Sequence, residues 1–235
     1  MRGAKGKKKL SLNRALIVCN GELQKSLINK FTVLNKPQKQ LEIIAADGAS
    51  DFLCKNKILP DVIIGDLDSI SPSAKKYFTG KNVKIRRIID QNRNDLEKCI
   101  GYAIDNGFIE ISVVGFSGDR FDHTINNLSI LKKFHRKANI KVYDRDFEYF
   151  FINKNIEFEC KPGDVLSLIA LPKAKGITTK GLKYPLNNET LEFGVKEGAL
   201  NSAALKTVAI KYQKGYLLVI KQHNKNFKLQ NPNIK

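Results

Sequence analysis

Six short runs constrain this chain more than any other feature: "ALIVC" (15–19), "EIIAA" (42–46), "DVIIG" (61–65), "KIRRII" (84–89), "EISVVG" (110–115) and "IKVY" (140–143). Most are apolar throughout rather than at every second residue. An alternating strand hides one face, whereas a continuously apolar strand hides both. Helix-like segments separate the runs. Together they predict a mostly parallel α/β sheet with helices on both faces, spanning residues 11–148. Leu96, Ile100, Ala103 and Ile104 recur at helical spacing, with Gly107 as the stop. Phe121, Ile125, Leu128, Leu131 and Phe134 make a second stripe, expected to be a core face.

The pattern changes near residue 150. "IEFEC", "VLSLIAL", "LEFGV" and "VAIKYQKGYLLVI" read as strands separated by turns such as "KPGD" and "QKG". Gly215 stands where a hairpin needs positive φ. A boundary within 146–153 therefore separates the α/β part from a small all-β domain, residues 149–235. Residues 1–10, with Arg2, Lys5, Lys7, Lys8 and Lys9, carry no apolar pattern and are expected to be a disordered basic tail.

The net charge of +18 asks for an anionic partner, either nucleic acid or a polyphosphate substrate. No nucleic-acid motif accompanies the charge, so nucleic acid is not expected as the main partner. No apolar run approaches the roughly 18 residues of a membrane helix, and "ALIVC" is too short for the apolar core of a signal peptide. A cytoplasmic protein without a membrane partner is expected. The four cysteines show no C-x-x-C spacing and read as reduced thiols.

At "GDLDS" two carboxylates, Asp66 and Asp68, follow directly on a strand. In extended chain they point to the same side, at the carboxyl end where open α/β sheets hold ligands. Two readings fit. One is a Mg²⁺ site, since that ion commonly takes one or two carboxylates plus substrate phosphates. The other is a solvated turn with an Asx-type cap. "AADGAS" places Asp47 and Gly48 at the end of the preceding strand, Gly48 allowing close approach of backbone or ligand. "DQNRNDLEKCI" puts Asp95 in the first turn of a helix. There it could serve a site or simply favour the helix dipole, with Asn94 as the N-cap.

The stretch "GFSGDRFDHTINNLSIL" (115–131) follows a strand and opens a helix. Gly115 and Gly118 free the backbone to wrap a phosphate, and the helix start offers unpaired N–H groups. Arg120 can grip phosphate through paired hydrogen bonds. Asp122 can cap the helix or bind a metal, and His123 can donate to an anion or bond locally. A Walker loop is absent from the sequence.

"AADGAS", "GDLDSI", "DQNRNDLEKC" and "GFSGDRFDHTINNLSIL", in that order, resemble the thiamin pyrophosphokinase family, and "TTKGLKYPLNNETLEFG" is similar to its β-domain segment. The resemblance implies an α/β catalytic, nucleotide-binding domain followed by a β-sandwich that binds thiamin and dimerises. It implies transfer of diphosphate from ATP, the co-substrate, to the thiamin hydroxyl, with Mg²⁺ as cofactor and AMP as by-product. A homodimer with sites at the subunit interface goes with it. Carried over by position, Asp66, Asp68 and Asp95 match the metal carboxylates, and Arg120 and Asp122 the phosphate and active-site pair. Asp47, Gly48, Gln91, Gly115, Gly118, His123 and Asn126 match the nucleotide cleft, and Asn201 the thiamin side. The chain departs from the family at Asn94, often Thr, and at Leu200-Asn201, commonly Ser-Asn. Two other classes fit the D-x-D and the charge. One is another Mg²⁺-dependent nucleotide transferase, such as a glycosyltransferase. The other is a basic nucleic-acid-binding protein.

Overall fold

The computed structural model describes residues 14–34 and 41–223. The expected basic tail, 1–10, lies outside them. In chain order the elements are β1 (Arg14–Val18), α1 (Lys25–Leu34), β2 (Leu41–Ala46), α2 (Ser50–Lys55), β3 (Val62–Gly65), α3 (Pro72–Gly80), β4 (Lys84–Arg87), α4 (Asp95–Asp105), β5 (Glu110–Val114), α5 (Phe121–Phe134) and β6 (Asn139–Tyr143). Among the described residues only strands follow: β7 (Phe147–Ile152), β8 (Ile156–Glu159), β9 (Val165–Lys180), β10 (Glu189–Glu192), β11 (Gly198–Ser202), β12 (Thr207–Lys211) and β13 (Lys214–Gln222).

The first part is a parallel sheet in the order β4-β3-β2-β1-β5-β6. Its central strand shows why the apolar runs are continuous. Ala15 and Ile17 of β1 enter one core with Leu96, Ile100 and Ala103 of α4 and Ile130, Leu131 and Phe134 of α5. Leu16 and Val18 enter the opposite core with Leu27, Ile28 and Phe31 of α1, Leu53 of α2, and Ala74 and Phe78 of α3. Both faces of the strand are thus covered, as continuous apolarity requires. The connection direction reverses between β1 and β5, so the crevice at their carboxyl ends is the switch point of the sheet.

The ends of α4 follow from local chemistry. Asn94 Oδ1 accepts from Glu97 N at 2.9 Å as the N-cap. At the other end Gly107, at φ +81°, donates to Ile104 O, and Phe108 N donates to Ala103 O. That paired pattern terminates a helix with a left-handed residue. The stripe on α5 is core only in part. Leu131 and Phe134 are buried, but Phe121 is 75% and Ile125 50% exposed. The helix starts at the carboxyl edge, where the strands end, so its first turns have less sheet to cover.

The sheet does not stop at β6. β7 pairs antiparallel with β6 and with β13, which continues to β9. The division expected at 148/149 falls inside β7. Phe151 and Leu218 face the α5 side, while Phe150, Ile152, Leu217 and Val219 face a second β layer. β9 runs through both layers. Its first half pairs with β13 and β11, and its second half with β12 and β10, β12 also pairing with β8. Val208 and Ile210 of β12 close the core from the far side.

The hairpin expected at "QKG" is absent. β12 and β13 each pair with β9 and not with one another. The chain crosses between layers at 212–213, following the bend of β9. Gly215 does have positive φ, +107°, but it sits at a register shift opposite Ala174. A β-carbon there would overlap Lys173 O. Glycine is needed for a bulge, not for a turn.

Candidate active site

The motifs singled out in the α/β part gather at the carboxyl edge of the parallel sheet. Asp47 follows β2, and Asp66 and Asp68 follow β3. Gln91 lies beyond β4, Asp95 starts α4, and 115–122 joins β5 to α5.

Asp47 is fully buried and accepts from Gly48 N and Leu67 N, both at 2.8 Å. Its carboxyl group lies over Gly65, where any β-carbon would overlap it. Leu67, at φ +70°, is thereby tied into a left-handed bend between Asp66 and Asp68. Arg87, at the end of β4, donates Nε to Asp66 O at 3.1 Å. Within the bend Asp68 N reaches Asp66 Oδ1 at 3.3 Å. One carboxylate oxygen from each of Asp47, Asp66 and Asp68 lies within 4.8 Å of the others.

Asp95 is not part of that close group. Its Oδ1 pairs with Lys98 Nζ at 3.0 Å, and the Lys98 side chain is only 4% exposed. Burial, followed by the Asp95 charge, pushes the Asp47 carboxyl up to about 6, although two N–H donors pull it down. Such crowding is relieved by a cation among the carboxylates. The all-oxygen donor set, from buried to exposed, suits Mg²⁺.

The loop after β5 is stitched to the loop after β1. Gly21 N donates to Gly115 O at 2.8 Å and Glu22 N to Ser117 O at 2.6 Å. A β-carbon on Gly115, at φ +69°, would overlap Cys19 O, and one on Gly118 would come within 3.2 Å of Gly21 Cα. Arg120 and Asp122, both exposed, hold one another through Nη2–Oδ2 at 2.5 Å and Nε–Oδ1 at 3.2 Å. The fork that could grip phosphate is therefore closed on Asp122. Gln91, His123 and Asn126 are exposed, and Gly48 is half-buried against Asn20.

Asn201 sits in the other part of the molecule and is 7% exposed. Its Oδ1 accepts from Tyr184 N at 3.1 Å and Ser202 N at 2.9 Å, and its Nδ2 donates to Tyr184 O at 2.7 Å. Leu200 beside it is 88% exposed at φ +58°.

Three residues escaped the sequence reading. Lys98 stands three residues after Asp95, a helix spacing that pairs charges and could have been noticed. Asn127, not Asn126, is in phase with Leu131 and Phe134. It is buried, accepts from Asn94 Nδ2 at 2.9 Å and donates to Phe116 O at 2.9 Å, tying α4, α5 and the β5 loop together. Gly21 had no pattern to mark it, because its need arises from the Gly115–Ser117 loop, distant in sequence.

Residues 35–143 match the family model of the thiamin pyrophosphokinase catalytic domain, and residues 152–217 that of the thiamin pyrophosphokinase vitamin B1 binding domain. Thiamine pyrophosphokinase 1 of Oryza sativa subsp. japonica is 30% identical over 185 residues, 72% of this chain and 68% of that protein. The chain belongs to the thiamin pyrophosphokinase family of enzymes. Thiamine pyrophosphokinase 3 of the same rice is 33% identical over 154 residues, 60% of this chain and 57% of that protein's length. The crystal structure of thiamine pyrophosphokinase from Bacillus subtilis shares the fold, with a TM-score of 0.78 at 22% identity over 89% of this chain and 98% of that one. Among the described residues no helix is long and apolar enough to cross a membrane.

Proposed function

We propose that this chain transfers the diphosphate group of ATP to the hydroxyl of thiamin, giving thiamin diphosphate and AMP. The reading is carried by Asp47, Asp66 and Asp68 converging within 4.8 Å at the carboxyl edge of a sheet in a chain of this family. Asp66 and Asp68, with Asp95 as the third ligand and Asp47 beside them, are the residues that would hold Mg²⁺. When bound, Mg²⁺ supplies positive charge against the phosphate oxygens. The chain's own groups do the positioning. Gly115 and Gly118 let the backbone approach the phosphates, and the first amides of α5 point at them. Arg120 exchanges its partner Asp122 for phosphate oxygen, stabilising charge there. Gly48, Gln91, His123 and Asn126 line the nucleotide cleft. The part from residue 149 onward binds thiamin near Leu200 and Asn201 and forms the contact of a homodimer, whose sites lie at the subunit interface. The protein works in the cytoplasm.

Incubation with ATP, Mg²⁺ and thiamin is expected to yield AMP and thiamin diphosphate in equal amounts. Release of a nucleoside diphosphate during sugar transfer would favour the glycosyltransferase reading instead. Steeply salt-dependent RNA or DNA binding without turnover would favour the nucleic-acid reading. Sedimentation at micromolar concentration is expected near twice the 26.5 kDa chain mass.

A further inference from the structure

Lys98 is the cation that the carboxylate site already contains. Its side chain is 4% exposed, and its ammonium pairs with Asp95 Oδ1 at 3.0 Å. The helix places it there: Lys98 lies one turn after Asp95, between the buried Glu97 and Cys99. Asp95, meanwhile, is engaged with it instead of joining the close group of Asp47, Asp66 and Asp68.

We propose that Lys98 is a positioning residue, the resident counter-cation of Asp95. It holds that carboxylate in place before a divalent ion arrives, and by competing for it limits how tightly the ion is held. This rests on the Mg²⁺ site proposed above. An ion held loosely suits a site that must exchange metal with its nucleotide at each turnover.

The test is metal binding by Lys98→Met, which keeps the length of the side chain and removes its charge. Mn²⁺ serves as the probe, by electron paramagnetic resonance at pH 8 and without nucleotide. Lys98→Met is expected to bind Mn²⁺ about tenfold more tightly than the unaltered protein, since a like charge has been removed from beside the ion. Lys98→Arg, which keeps the charge, is expected to stay within about threefold of the unaltered Kd. The Tm of Lys98→Met is expected to fall without metal and to recover more than that of the unaltered protein on adding Mg²⁺. An unchanged or weaker Mn²⁺ affinity in Lys98→Met overturns the proposal, as does a Tm loss equal with and without Mg²⁺. If Lys98→Met is unfolded without metal, refolding on Mg²⁺ addition supports the proposal, and failure to refold overturns it. Asp66→Asn separates this from the reading beneath it. Undiminished Mn²⁺ binding by that variant removes the metal site itself, whatever Lys98 does.

Discussion

Asp66, just past β3, and Asn201, inside β11, belong to one hydrogen-bonded sheet but spend their side chains differently. Asp66 is half-buried, lies close to two other carboxylates, and has oxygen capacity to spare. Asn201 is buried and consumed by the backbone of Tyr184 and Ser202. The cause is the way each region satisfies its main chain. Parallel strands complete each other's hydrogen bonds, and their loops all leave from one edge, so polar side chains there remain available. In the antiparallel layer the irregular segment around Tyr184 has backbone groups without strand partners, and a side-chain amide must supply them. Asp66 is thus a ligand candidate and Asn201 a structural brace.

The largest expected effect tests the first half of that contrast. Asp66→Asn or Asp68→Asn is expected to lower kcat/KM for ATP and thiamin by far more than tenfold, several kcal/mol in the barrier. The circular-dichroism spectrum and Tm should change little, because neither side chain braces the core. A variant that keeps more than about a tenth of the activity, a loss below roughly 1.4 kcal/mol, removes that residue from the site.

Asn201→Ala tests the second half. It leaves the Tyr184 amide and carbonyl without their side-chain partner, so a stability loss of about 1–3 kcal/mol is expected in denaturant unfolding. The KM for ATP should not move. If instead stability holds and only the thiamin KM rises, Asn201 is a ligand group and the two regions do not differ in this way.

His135 probes the seam between them. Its ring is buried against Phe151 of β7 and Tyr216 of β13, with Lys132 and Arg136 nearby. Nδ1 lies 2.7 Å from Lys132 O, and among the described residues Nε2 has no partner. Burial first, then those two cations, hold its pKa below the usual range, although the Lys132 carbonyl pulls it up. The unfolded chain therefore takes up this proton before the folded one does. Stability is lost as the pH falls below about 6.5, the unfolded value. Tm measured at pH 7.5 and 5.5 should drop less in His135→Phe than in the unaltered protein. An equal drop would assign the acid sensitivity elsewhere.

The smallest effect concerns Leu200. A leucine at φ +58° with 88% exposure gains little from packing and carries backbone strain. Leu200→Gly is expected to raise stability by about 1 kcal/mol. A loss of stability would mean that the leucine is covered in the assembled protein.

Much of the fold was legible because its causes are local. The continuous apolarity of "ALIVC" and "DVIIG" announces strands with two covered faces, and Asn94 and Gly107 mark the ends of α4. The aspartates of "GDLDSI" announce themselves through their spacing and their place after a strand. β7 passed unread as a strand because "FEYFFI" lies where the chain changes regime and neither pattern dominates. In the sequence the layer crossing at 212–213 resembles a hairpin, because glycine in a short polar joint looks alike in a turn and in a bulge. The bend of β9 distinguishes the two, and β9 lies more than thirty residues away in sequence.

The amino-acid sequence by itself determined which residue types stand at the ends of the strands, where the helices begin and end, and which family motifs the chain carries. Those depend on interactions within a few residues of one another, which a linear text records. The tertiary structure alone decided that Asp47 closes against Gly65, that the Lys98 ammonium is buried against Asp95, and that Asn127 rather than Asn126 ties the loops together. Burial and electrostatics depend on distance in space, and the sheet order that brings β1, β2, β3 and β5 side by side is what sets those distances.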